Sequence, residues 1–163
     1  MQKLYIDFDG VILDTIETTY KIMDNLKIDK KNETEVIHFF QYLDWQNILL
    51  VTPVINDSIN CIKRIKATNK YDISILTHVN SYNEIVQKIK YINKYLPGIN
   101  IIVVPKEKSK TKMVDPRGAI LIDDYKSNLR EWKEKGGIAI KFSKKMREYP
   151  YPIIDRLDKI LEM

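Results

Sequence analysis

The stretch Lys3 to Thr15, K-L-Y-I-D-F-D-G-V-I-L-D-T, restricts the fold of this 163-residue chain more than any other. Leu4, Tyr5 and Ile6 form a short apolar run of strand formers, and Asp7 and Asp9 follow at once. A buried strand carries such carboxylates only at its open end, so the end of this strand is a candidate site. Gly10 lets the chain turn directly after Asp9 and gather the acids round one small volume. Carboxylates so clustered repel one another and call for a cation, and hard oxygen ligands suit Mg2+. On these residues alone, a solvated acidic turn or an Asp helix cap remains the alternative.

The pattern recurs in G-A-I-L-I-D-D, where a buried strand from Ala119 to Ile122 ends in Asp123 and Asp124. Two strands that each run apolar and then acidic are hard to explain by stability, and they point to a metal site. Between them, D-I-S-I-L-T-H reads as a strand through Ile73, Ile75 and Leu76 that ends at Thr77, with His78 beside it. The strand I-N-I-I-V-V-P then leads into K-E-K-S-K-T-K, four lysines in seven residues. Read by itself, that run is a solvated loop or an exposed helix start.

Helical spacing predicts helices over about 15–27 (Ile16, Tyr20, Met23, Leu26), from Glu33 onward (Val36, Ile37, Phe40, Leu43) and over 55–67 (Ile55, Ile59, Ile62, Ile65). Further helices are expected over 81–95, with Ser81 as N-cap and Ile85, Ile89 and Ile92 inward, and over 126–135, closed by Gly136-Gly137. I-A-I-K-F is a strand, and 153–161 reads as a closing helix. Strands alternating with helices predict an α/β class with a parallel sheet and helices on both faces. Ligands in such sheets sit beyond the carboxyl ends of the strands, where every singled-out residue lies. The helical stretch 15–53 is too long for a loop and reads as a small cap, leaving 1–14 and 54–163 as the core domain. Its aromatics Tyr20, Phe39, Phe40, Tyr42 and Trp45 either pack internally or select a substrate.

The five glycines allow no G-x-G-x-x-G and no phosphate-binding P-loop. Cys61, the one cysteine, has no disulfide partner and no zinc ligand set, so a reducing, cytoplasmic setting is expected. No apolar leader precedes Asp7 and no stretch is long enough to span a membrane. The formal charge of +5 is spread over lysines mixed with acids, which reads as a solvated surface. A lesser reading is that it draws in a phosphorylated substrate; a nucleic-acid partner is not expected.

D-F-D-G-V-I-L-D-T resembles the first motif of the haloacid-dehalogenase (HAD)-like phosphatases, D-x-D-G-x-x-x-D-[ST], at Asp7, Asp9, Gly10, Asp14 and Thr15. The resemblance implies a three-layer, Rossmann-like α/β fold with a helical cap inserted after the first strand. It also implies Mg2+-dependent phosphomonoester hydrolysis through an aspartyl-phosphate. Asp7 would then be nucleophile and metal ligand. Asp9 would bind the metal through its backbone carbonyl and serve as acid and base through its side chain. Thr77, on a strand like that of the second motif, would bind the phosphoryl group, with Gly10 and His78 beside it in the substrate site. The family places one lysine after the next strand, which favours Lys110, with Lys108 as runner-up. Asp123-Asp124 matches the last motif, Asp124 as third metal ligand and Asp123 as its partner, orienting a ligand water or the lysine.

The segment Ile120 to Phe142, with Asn128, Trp132 and the double glycine, looks like bacterial members of the 5'(3')-deoxyribonucleotidase family. That implies nucleoside monophosphate substrates, although the cap is shorter than in that family. The alternatives are a HAD phosphatase of another substrate class, polynucleotide or protein, and a non-catalytic phosphate-binding or receiver-like signalling module. Mn2+ in place of Mg2+ and the oligomeric state are left open.

Overall fold

Six parallel strands form the centre of the structure, a computed structural model that describes residues 1–163. They are β1 (Gln2–Ile6), β2 (Tyr71–Val79), β3 (Asn100–Pro105), β4 (Ile120–Asp123), β5 (Ile138–Phe142) and β6 (Ile153–Ile154), in the order β3-β2-β1-β4-β5-β6. β1 is central, with Ile6 registered against Ile75 on one side and Ile122 on the other. The order reverses direction between β1 and β4, and a crevice opens at such a switch point beyond the strand ends.

Alternation along the strands feeds two separate cores. Leu4, Ile6, Ile75 and Ile122 face a large cluster that includes Ile59, Ile62 and Ile65 of α4 (Ser58–Ala67) and Ile92 of α5 (Tyr82–Tyr95). Tyr5, Leu121 and Ala139 face the opposite way, onto Leu129 and Trp132 of α6 (Lys126–Glu134). Helices on both faces of a parallel sheet make the expected three-layer α/β fold.

Between β1 and α4 lie α1 (Thr15–Asn25), α2 (Glu33–Tyr42) and α3 (Trp45–Val51). The two ends of this segment meet. The Asp14 N–H donates to the Pro53 carbonyl at 3.0 Å, and the Ile55 N–H donates to the Ile12 carbonyl at 3.0 Å. α3 is not isolated above the core, because Trp45, Ile48 and Leu49 belong to the large cluster.

Several element readings need correction. The apolar spacing of α1 does not mark its buried face: Thr15, Thr19 and Met23 are buried, while Ile16, Tyr20 and Leu26 are exposed. In α2 only Phe39 is buried. I-L-L-V, made of strand-forming residues, is the end of α3, which the Asp44 side chain caps. On α5 the buried stripe is Glu84, Lys88 and Ile92; of the expected Ile85, Ile89 and Ile92, Ile92 is buried and the other two are only partly so. The C-terminal stretch is no α-helix: Ile153 and Ile154 pair with β5, and only a 3₁₀ helix, Leu157–Glu162, follows.

Candidate active site

The carboxyl ends of β1 and β4 are adjacent, and the Asp7 N–H donates to the Ile122 carbonyl at 2.9 Å. Pairing of the two strands therefore delivers Asp7 and Asp123-Asp124 to one spot. Asp7, Asp123 and Asp124 each offer a carboxylate oxygen within 4.8 Å of the others. Gly10, at φ +76°, closes the turn beside them, and a Cβ there would overlap the Asp124 carboxylate. The left-handed conformation and the close approach both require glycine.

Of the four lysines after β3, Lys110 reaches this cluster. A 3₁₀ turn, Lys110–Lys112, directs it inward, and Thr111 next to it bonds Glu131 of α6, which fixes the turn. Lys110 Nζ lies 2.8 Å from Asp7 Oδ1 and 2.7 Å from Asp123 Oδ2, and its side chain is almost wholly buried. Lys108 is exposed, and its carbonyl accepts a hydrogen bond from His78 Nε2 at 2.8 Å. That bond commits one ring nitrogen of His78 to the β3 loop. Burial lowers the His78 pKa, the Lys108 carbonyl opposing the effect.

Asp123 is held on all sides. Its Oδ2 accepts from Lys110 and from Asn128 Nδ2 at 2.9 Å, and its Oδ1 accepts from the Tyr125 N–H at 2.7 Å. The Asp9 carboxylate faces elsewhere: Oδ1 accepts from Thr15 at 2.6 Å, and Oδ2 accepts from Lys88 at 2.6 Å and Thr77 at 3.4 Å. Its carbonyl oxygen accepts no hydrogen bond from the chain. Thr77, fully buried, ends the apolar part of β2 beside Asp9.

The acids of the cluster could hold a cation, and they raise one another's pKa values. Burial pushes the Asp7 carboxyl up to about 7 against the opposing charge of Lys110, with Asp123 and Asp9 adding to the rise. Burial, followed by the charges of Asp7 and Asp123, pushes Asp124 up to about 8, Lys141 pulling the other way. Burial disfavours the charge on Lys110, but Asp123 and Asp7 outweigh it and its pKa is raised. Two buried carboxylates and the partly buried Asp124 crowd together, and a hard divalent ion with oxygen ligands would relieve the repulsion that Lys110 and Lys141 offset only in part. Asp7, Asp123 and Asp124 each offer an oxygen that could hold such an ion, and Asp123 is also engaged by Lys110.

Three participants are not apparent in the motif pattern. Lys88 is fully buried against Asp9, paired with Glu84. Lys141 is buried on β5 and bonds the Asp124 main-chain carbonyl. The only sequence signal for the first pair is opposite charge at i, i+4, which on most helices denotes an exposed pair. A lysine in the apolar strand I-A-I-K-F is the signal for the other.

A hollow of about 530 Å³ opens beside Asp124, its lining including Gly10, Tyr20, Lys21, Phe142 and Lys144. A second hollow of about 550 Å³, lined by Ile22, Leu26, Phe39 and Tyr42 between α1 and α2, touches none of the clustered residues.

No family model matches the sequence, and no curated protein matches it. Solved structures do match. A HAD phosphatase from Thermococcus onnurineus aligns with a TM-score of 0.62 at 16% identity, covering 99% of this chain and 97% of that one. A haloacid dehalogenase-like hydrolase from Xanthomonas campestris aligns at 0.60 and 14% identity, covering 98% and 92%. A D,D-heptose 1,7-bisphosphate phosphatase from B. bronchiseptica, complexed with magnesium and phosphate, aligns at 0.57 and 10% identity, covering 99% and 97%. Along essentially its whole length, this chain has the fold of the HAD-superfamily hydrolases.

Proposed function

We propose that the protein is a Mg2+-dependent phosphomonoester hydrolase that works through an aspartyl-phosphate on Asp7. The observation that carries this is the buried Lys110 ammonium bridging Asp7 and Asp123 at the ends of two adjacent strands, with Asp124 completing the carboxylate cluster. A carboxylate held next to a fixed cation is suited to attack phosphorus, because the charge it meets is compensated before reaction begins.

In the first step an Asp7 oxygen bonds to phosphorus as the ester P–O bond breaks, and Asp9, entering the step as the carboxylic acid, gives its proton to the leaving oxygen and becomes the carboxylate. In the second, Asp9 takes a proton from water, whose oxygen attacks phosphorus, and the Asp7 carboxylate is released with inorganic phosphate. Lys110 favours the ionised form of Asp7 against its burial and offsets charge on the phosphoryl oxygens, while the Thr77 hydroxyl donates to one of them. Mg2+ held by Asp7, Asp124 and the Asp9 carbonyl would supply further compensation of phosphoryl charge.

For substrate we propose nucleoside monophosphates, with preference for the deoxy forms. Support comes from the resemblance over Ile120 to Phe142 and from the hollow beside Asp124. Its volume of about 530 Å³ lies in the range of small-molecule sites, and Tyr20, half-exposed on its wall, offers a ring for a base to stack on. The known heptose bisphosphate phosphatases of the same fold act on other small phosphorylated molecules.

The test is phosphate release, with and without Mg2+, from deoxyribonucleoside and ribonucleoside monophosphates and an aryl phosphate. Metal-dependent turnover with preference for deoxynucleotides is expected. Turnover of the aryl phosphate alone would retain the phosphatase and remove the nucleotide, and no turnover of any ester would overturn the reading.

A further inference from the structure

Lys88 and Glu84 of α5 form an ion pair at 2.7 Å with side chains 0% and 1% exposed. Four oxygens surround the Lys88 ammonium. Besides Glu84 they are Asp9 Oδ2 at 2.6 Å, Thr77 Oγ1 at 3.0 Å and the His78 carbonyl at 3.1 Å. The rings of Phe8 and Trp45 lie 5.0 and 5.1 Å from the charge and close the site off from water. Glu84 is fixed in turn, since its other oxygen accepts from the Asn80 N–H at 2.7 Å. An ammonium has three N–H groups, so its donors are fully committed.

Folding alone gives no reason for this arrangement. Two charges buried at i, i+4 are desolvated at a cost that well-packed apolar residues would avoid, and an apolar pair here would simply extend the stripe that ends in Ile92. What the pair adds is a rigid connection between helix α5 and two groups at the reaction centre. We infer that Lys88, held by Glu84, is a positioning residue that fixes the Asp9 carboxylate and the Thr77 hydroxyl relative to Asp7. Being wholly buried, it does not touch substrate and acts through Asp9. The inference rests on the phosphatase reading above.

Two variants test it: Lys88→Met, and Lys88→Met/Glu84→Gln, which removes both charges together and so leaves none buried alone. Thermal melting monitors the fold of each. Each is compared with wild type on a deoxyribonucleoside monophosphate, whose alkoxide leaving group needs a proton, and on p-nitrophenyl phosphate, whose phenolate does not. For the nucleotide, kcat should fall on the order of 10- to 100-fold with KM unchanged. For the aryl ester, phosphorylation of Asp7 should continue while hydrolysis of the aspartyl-phosphate slows. Nitrophenol should then appear in a burst of up to one equivalent per site, absent in wild type.

Folded variants that lose both substrates by one common factor without a burst, or that lose nothing, would overturn the positioning role while leaving the phosphatase intact. A wild type inert toward both esters would overturn the phosphatase reading, and this inference with it.

Discussion

Gly10 and Asp124 show how closely the site is fitted at the level of single residues. The glycine has φ +76°, and an added methyl would overlap the Asp124 carboxylate. Gly10→Ala therefore strains the backbone and displaces a proposed metal ligand while leaving Asp7 in place. The expected result is a rise of about tenfold or more in the Mg2+ concentration for half-maximal activity, with a smaller change in kcat, read by metal titration of phosphate release. Asp7, Asp9, Asp123 and Asp124 were legible in the sequence because acids directly after apolar runs have few structural explanations. Lys110 was legible as one of two candidates, and the 3₁₀ turn anchored by Thr111 and Glu131 is what brings it inward. Lys88 was not legible, because nothing in one sequence distinguishes a buried i, i+4 pair from an exposed one.

At the level of elements, α6 supports the site from behind. Trp132 is fully buried, donates from Nε1 to the Ala119 carbonyl at 3.0 Å and packs edge-on against Tyr5 at 5.4 Å. Gly137 leaves the space for its indole, which a Cβ there would overlap. Trp132→Ala should cost about 3–5 kcal/mol of stability, measured by chemical denaturation. Because α6 also carries Glu131 and Asn128, which anchor the Lys110 turn and Asp123, activity should fall together with stability. Strands β1 to β5, α4 and α6 follow from periodicity. The segment from α1 to α3 does not, since its apolar residues face a hollow or solvent as often as the core. The stretch from Ile153 misleads for another reason: two residues suffice to extend a parallel sheet, too few to leave a period in the sequence.

At the level of the whole molecule, the carboxylate cluster ties folding to pH and, with the proposed Mg2+ bound, to metal. Asp7 and Asp124 have folded pKa values of about 7 and about 8, above the ordinary 3.8. Between about pH 4 and pH 8 the unfolded chain therefore binds fewer protons than the folded one, and stability falls as pH rises through that window. Metal-free protein is expected to melt at a lower temperature at pH 8.5 than at pH 5. Added Mg2+ should raise the melting temperature at pH 8.5 far more than at pH 5, because it binds the ionised carboxylates. Equal stabilisation by Mg2+ at the two values would contradict a metal site in this cluster. The α/β order and the location of the site at the strand ends follow from the sequence, whereas the switch between β1 and β4 depends on long-range pairing that no local pattern encodes. No helix is long and apolar enough to cross a membrane.

The central claim is a covalent phosphoryl group on Asp7, and the most direct measurement is mass spectrometry of the acid-quenched protein during turnover with Mg2+ and a monophosphate ester. One phosphoryl group on the peptide containing Asp7 is expected, absent in Asp7→Asn, whose turnover should fall on the order of a thousandfold or more. Turnover by wild type with no phosphorylated peptide, or an Asp7→Asn variant that still turns over at the wild-type rate, would contradict the account.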